Sequence, residues 1–166
     1  MGQRFAALAC AGALALMQPA VAVAQAPTWS SEQQGVWGVI NRSWSDEVAR
    51  NGRWPGQYVH QNVVGWGPEW PMPRYRDSME RWSRWFDTQS RVLQHEISPA
   101  AITIAGNTAV VHYTAVAMRQ REVPRGENPP EPKREAYGIV ETLVRDGADW
   151  RFLSSSSFPL KAGGGN

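Results

Sequence analysis

A single cysteine stands in this 166-residue chain, and Cys10 lies inside an apolar N-terminal run that reads as a leader rather than as part of a fold. The rest of the chain then carries no thiol. Disulfides, thiolate metal sites and a cysteine nucleophile are excluded, whatever the redox state of the surroundings. An excess of one charge is also lacking, with 17 Lys and Arg against 15 Asp and Glu. No basic run is concentrated anywhere, so nucleic acid is not an expected partner. His60, His95 and His112 are the only histidines, and no two share the i,i+2 or i,i+4 spacing of metal ligands, so neither a metal nor a cofactor is implied. The serines at 154 to 157 lack the strand–elbow–helix context that exposes an activated nucleophile. No internal repeat is visible.

The leader itself is short. Arg4 gives a positive start, Phe5 to Met17 is almost unbroken apolar sequence, and "AVAVAQA" ends it in small residues. That run is too short to span a bilayer and fits a secretory signal peptide, residues 1–24. Cleavage after Ala26 would place Pro27 on the leaving side, so cleavage after Ala24 is favoured, and a periplasmic or secreted protein is expected. Acylation of Cys10 would need a full apolar stretch before it, and Arg4 lies too close. A mature chain of about 140 residues is the size of one domain with a real core.

Residues 31–50 read as an amphipathic helix. Ser30 or Ser31 with Gln33 or Gln34 offers a capping box, Val36, Ile40, Trp44 and Val48 repeat every four residues, and Asn51-Gly52 is a stop. Residues 57–66 read as a strand, "GPEWPMPR" as an irregular loop, and "YRDSMERWSRWFD" as a second helix with Met79, Trp82 and Phe86 on one stripe. The period then changes to two, with strands expected over 91–97, 100–105, 108–119, 136–145 and 149–158. Gly106-Asn107 and Asp146-Gly147 mark hairpin turns. "REVPRGENPPEPKRE" reads as a solvated hairpin end, and residues 161–166 as a disordered tail. Helices first and an antiparallel meander afterwards make an α+β domain over residues 28–160.

What the chain has in excess is tryptophan, nine in all. Trp37, Trp44, Trp82 and Trp85 fall on helical positions that turn toward the sheet and are expected in the core, with Trp150 packing after its turn. Trp54, Trp66 and Trp70 flank prolines near the end of the first strand, where rigid indoles either wall a ligand cavity or plug it.

The order of these elements, with "VVGW", "ISPAAITIAGNTAVVHY" and "EAYGIVETLVRDGADWRFLSSSSF", resembles the nuclear transport factor 2-like superfamily, in particular its SnoaL-like and uncharacterised bacterial branches. The resemblance covers roughly residues 30–158. It implies a cone in which a strongly curved antiparallel sheet wraps around N-terminal helices, with an apolar pocket at the open end and a possible homodimer through the outer face. The superfamily includes ketosteroid isomerase, cyclases, dehydratases, epoxide hydrolases and many binders, so the fold leaves function open. The isomerase pattern is absent here: residues 31–50 hold no Tyr and residues 57–66 no Asp or Glu.

Candidate site residues come from strand alternation. Glu141 shares a face with Tyr137, Ile139 and Leu143. In a pocket, desolvation would raise its pKa into the range of general acid–base work; otherwise it pairs with Arg119 or Arg151, or lies at an edge. His112 is either a pocket base or a core histidine bonded to a carbonyl. Tyr58, His60 and Asn62 fall on one face of the first strand, where His60 is either a ligand contact or exposed, and Tyr113 lies opposite His112. With Trp54, Trp66 and Trp70, these form the expected ligand-binding set. The reading is an exported binder of a small apolar or amphipathic molecule. The alternatives are a proton-transfer enzyme using Glu141 or His112, a dimeric interaction module with a plugged cavity, and carbohydrate recognition by exposed indoles.

Overall fold

A computed structural model describes residues 28–68 and 70–161; the expected signal peptide with Cys10 and the cleavage point, and residues 162–166 of the tail, lie outside them. Helix α1 (Ser31–Ala49) is followed by β1 (Val59–Trp66), β2 (Arg74–Tyr75), α2 (Arg76–Gln89), β3 (Ser90–Ala105), β4 (Thr108–Arg121), β5 (Lys133–Asp146) and β6 (Asp149–Pro159). They build one six-stranded sheet of order β2-β1-β6-β5-β4-β3.

Helix α1 starts where its cap predicts. The Ser30 hydroxyl accepts from Gln33 N at 3.2 Å, and Ser30 N donates to Gln33 Oε1 at 2.9 Å. Each satisfies a backbone donor that the first turn leaves free. The helix ends with Arg50 in the left-handed region, just before Gly52 at φ 77°. Its buried stripe, Val36, Val39 and Ile40, lies in one core with Val59, Val63, Val111, Leu143, Trp150 and Phe152. Each such side chain contributes about 1.5–3 kcal/mol of burial before entropy. Gln33 Nε2 donates to Ile102 O at 2.8 Å and ties the helix to β3.

The sheet departs from a simple antiparallel meander at two places. Strand β1 runs parallel to β6, so the sheet is mixed. The two expected strands 91–97 and 100–105 are one strand with register shifts at Val92/Gln94 and Pro99/Ala101. Pro99 is tolerated because β3 is an edge strand, where a missing N–H breaks no second ladder. Both hairpins turn as expected, with Gly106 at φ 58° and Gly147 at φ 65°, conformations that glycine adopts without a Cβ penalty. The result is an α+β cone, an open sheet with the helices against its inner face.

Candidate active site

One face of β4 carries Ala109, Val111, Tyr113, Ala115 and Ala117, all buried. The same face of β5 carries Ile139, Glu141 and Leu143, because Val111 pairs with Glu141 and Tyr113 with Ile139. The inner face of β6 needs one more step. An irregularity between Thr142 and Leu143 sets Thr142 opposite Ser154 but Leu143 opposite Phe152, leaving Leu153 as the extra residue. Trp150 and Phe152 point into the core before it, and Ser155 and Ser157 face inward after it. An extra residue shifts a strand's alternation by one. Ser155 therefore pairs with Glu141, and its hydroxyl donates to Glu141 Oε1 at 3.2 Å.

Of these, Tyr113, Ile139, Glu141, Ser155 and Ser157 line a cavity of about 500 Å³. Trp44 and Glu47 of α1, Trp82 and Phe86 of α2, Trp54, Trp70, Tyr113, Tyr137 and Arg119 complete most of its wall. The volume is that of small-molecule sites. Trp82 stacks on Phe86 at 4.8 Å and meets Trp70 edge-on at 5.4 Å, while the Arg74 guanidinium covers Trp70 at 4.5 Å. On the opposite wall, Trp44 Nε1 donates to the Tyr113 hydroxyl at 3.0 Å and the Trp44 ring stacks on His95 at 5.7 Å.

Glu141 is the buried charged side chain of this wall. It is 5 % exposed, and its Oε2 has no hydrogen-bond partner among the described residues. Loss of hydration pushes its pKa up to about 8; Tyr113 and Ser155 act against that shift, and the negative charge of Glu47 adds to it. Burial likewise raises Glu47, with Arg119 opposing, and holds the Tyr113 hydroxyl neutral, well above its ordinary value, helped by the charge of Glu141. The arrangement is a protonated carboxyl beside a neutral phenol, with a second carboxyl sharing the cavity. A group of this kind gives and takes protons close to neutral pH. Neither of the two arginines expected as counter-ions forms an ion pair with Glu141. Arg119 pairs with Glu135 at 3.1 Å, and Arg151 with Asp146 at 3.0 Å.

The other expected residues divide. Tyr113, Trp54 and Trp70 line the cavity with Glu141. His112 does not: it is exposed on β4, one residue out of phase with the inward Val111 and Tyr113, so alternation places it on the far side of the sheet. Asn62 and Trp66 are exposed on β1 while Val63 and Gly65 are buried; Trp66, 55 % exposed, donates to Trp70 O. His60 lies in a separate polar depression with Arg76 and Arg151. The Tyr58 hydroxyl donates to Asp46 and is thereby tied to α1. Trp85, expected in the core, is 57 % exposed, whereas Trp37, Trp44 and Trp150 pack on it.

Sequence reasoning missed Glu47, and cast Arg119 only as a counter-ion. The available signal for Glu47 was its position. Ser43 and Glu47 stand four apart, with Trp44 between them, on a helix whose facing positions are apolar, which puts a carboxyl toward the sheet. Among the described residues no group of three His, Cys, Asp or Glu could hold a metal, and no helix is long and apolar enough to cross a membrane.

Neither a protein-family model nor a curated protein matches this chain. Solved structures do. A ketosteroid isomerase-like protein from Erwinia carotovora atroseptica superposes with a TM-score of 0.67 at 10% identity, over 80% of this chain and 99% of its own. A nuclear transport factor 2-like protein from Cytophaga hutchinsonii gives 0.64 at 9% identity, over 79% and 100%. A candidate dehydratase of the same family from Streptomyces avermitilis gives 0.63 at 13% identity, over 78% and 96%. At such identities the likeness is one of fold.

Proposed function

We propose, for a chain that has the nuclear transport factor 2-like fold, that its cavity binds a small apolar or amphipathic molecule and that Glu141 exchanges a proton with it. The observation that carries this reading is the buried Glu141 carboxyl, paired with no cation among the described residues, in a roomy aromatic cavity. A residue used only for packing has no reason to hold a desolvated carboxyl without a cation, because such burial costs several kcal/mol (on the order of the loss of a charged hydrogen bond or more). One pH unit below a pKa of about 8, roughly a tenth of the carboxyl is ionised. Glu141 therefore donates from its dominant form and abstracts from its minor one. Tyr113, neutral and already accepting from Trp44, orients the oxygen of the bound molecule. The chemistry fits an isomerisation or dehydration, in which one group removes a proton at one atom and returns it at another.

Export, with the signal peptide of residues 1–24, belongs to this proposal on the sequence pattern alone. So does self-association through the outer face of the sheet, where Val64, Trp66 and Phe158 are exposed.

The test begins with native mass spectrometry of protein from its native host, before and after denaturation, to capture the bound molecule. That molecule is then incubated in D2O with wild type and with Glu141→Gln. Deuterium enters a carbon position with the wild type only, at a rate rising about tenfold per pH unit below 8 and levelling above it. A bound molecule that gains no deuterium makes the protein a binder without catalysis. Absence of any small-molecule binding refutes the reading altogether.

A further inference from the structure

The far end of the same cavity carries a cation that its surroundings only half satisfy. Arg119 lies on β4, where it pairs with Lys133 of β5, and its side chain is 16 % exposed. Its Nε meets Glu135 Oε2 at 3.1 Å, while Nη1 is buried without a hydrogen-bond partner among the described residues. A guanidinium carries five N–H donors and no acceptor, so a desolvated Nη1 seeks an oxygen and nothing else. The guanidinium stands 4.9 Å over the Phe86 ring, and Phe86 begins the wall that continues through Trp82 to Trp70.

The charges facing this end are mixed. Arg121 and Lys133 line it with Arg119, opposed by Glu131 and Glu135. Glu135 also accepts from the Tyr137 hydroxyl at 3.3 Å, so its carboxylate is shared rather than dedicated to Arg119. Glu47 of α1 lines the same cavity. Along the β4–β5 pair, Arg119 opposite Lys133 stands eight residues from Val111 opposite Glu141, so the cavity has a cationic end and a carboxyl end, with the aromatic wall in the same volume.

We propose that the cavity takes an amphipathic organic acid, whose carboxylate accepts from Arg119 Nη1 and whose apolar body lies along the Phe86–Trp82–Trp70 wall. This rests on the small-molecule reading of the cavity given above and adds the class and direction of the molecule. A carboxylate matches the planar fork of the guanidinium, and in a desolvated setting such a charge-assisted bond is about twice as strong as a neutral one. Anchored there, the molecule presents its uncharged end to Glu141. Arg119, Arg121 and Lys133 line the other end, while Glu141 has no cation paired with it among the described residues, which fixes the orientation.

The test uses two probes with one ring system, 4-(1-pyrenyl)butyrate and its alcohol, 4-(1-pyrenyl)butanol, titrated into the full chain at pH 7 and followed by pyrene emission. In wild type the acid binds about tenfold tighter than the alcohol, the margin of one buried charge-assisted hydrogen bond. In Arg119→Gln the ratio of the two affinities falls to near one. Arg119→Lys, which keeps the charge but loses the fork, gives a ratio between the two and serves where Gln does not fold. Equal affinities in wild type, or a margin that survives in either variant unchanged, overturn the placement of the head group and leave the cavity reading standing. Failure of both probes to bind wild type overturns both.

Discussion

Replacing Glu141 by Gln keeps the shape and the bond to Ser155 while removing the proton, so its effect on stability isolates the cost of the buried carboxyl. In the folded chain that pKa stands at about 8 against an ordinary value of 4.5. Between these two values the folded state holds a proton that the unfolded chain has released. The wild type is therefore most stable, as far as this group goes, below pH 4.5, and it loses stability as the pH rises through the window to 8, after which the loss levels off. The slope is about 1.4 kcal/mol per pH unit for one proton. The full shift corresponds to about 5 kcal/mol at 1.36 kcal/mol per unit. Glu141→Gln lacks this dependence, and every other titrating group is common to both proteins. The difference in unfolding free energy, variant minus wild type, is expected to grow by about 4 kcal/mol between pH 5 and pH 8. Urea melts followed by circular dichroism at each half unit of pH, at constant ionic strength, measure it. Urea is preferred because guanidinium would screen the neighbouring Glu47. A difference that stays flat across this window, or changes only below pH 5, would show that Glu141 ionises freely in the fold, and the proton-transfer reading would lose its basis.

Two further substitutions probe the surroundings of the carboxyl. Tyr113→Phe leaves the half-buried Trp44 Nε1 without its acceptor and is expected to cost about 1–3 kcal/mol of stability; because Tyr113 favours the ionised form of Glu141, the same change moves the upper end of the pH window upward in the melts just described. His112→Ala, on the outer face of β4, is expected to stay within about 0.5 kcal/mol of wild type, and to leave pyrenyl-probe binding intact; a loss of binding there would mean that the inward and outward faces of β4 have been reversed.

The fold was legible because its determinants are local and repeated. The cap at Ser30, the four-residue spacing through Val48, and the two glycine turns at Gly106 and Gly147 each act within a few residues, and the structure reproduces them. What was not legible involves partners distant in sequence. Nothing in "VHQNVVGW" says that it lies parallel to β6, since that pairing is decided by which edge of the sheet the first strand reaches. Proline at position 99 reads as a strand boundary, yet an edge position removes the penalty on which that reading depends.

For the site, the same distinction separates what alternation can find from what it cannot. Glu141 stood out because Tyr137, Ile139 and Leu143 flank it at steps of two in an unbroken strand, and the structure places all four inward. Ser155 was hidden by the extra residue at Leu153, which reverses the phase after Phe152; read by strict alternation, Ser154 and Ser156 would face the cavity and Glu141 would lack a donor. Glu47 and Arg119 were hidden differently. Each is an ordinary charged residue on an amphipathic element, and only the approach of α1 and α2 over the inner face of β4 desolvates them. A cavity lined by ionisable side chains from three elements, Glu47, Arg119 and Glu141, arises from packing and not from any short motif. Glu141 Oε2 and Arg119 Nη1, neither with a hydrogen-bond partner among the described residues, belong to side chains that line one volume. The proposed organic acid, accepting from Arg119 and exchanging a proton with Glu141, would engage both.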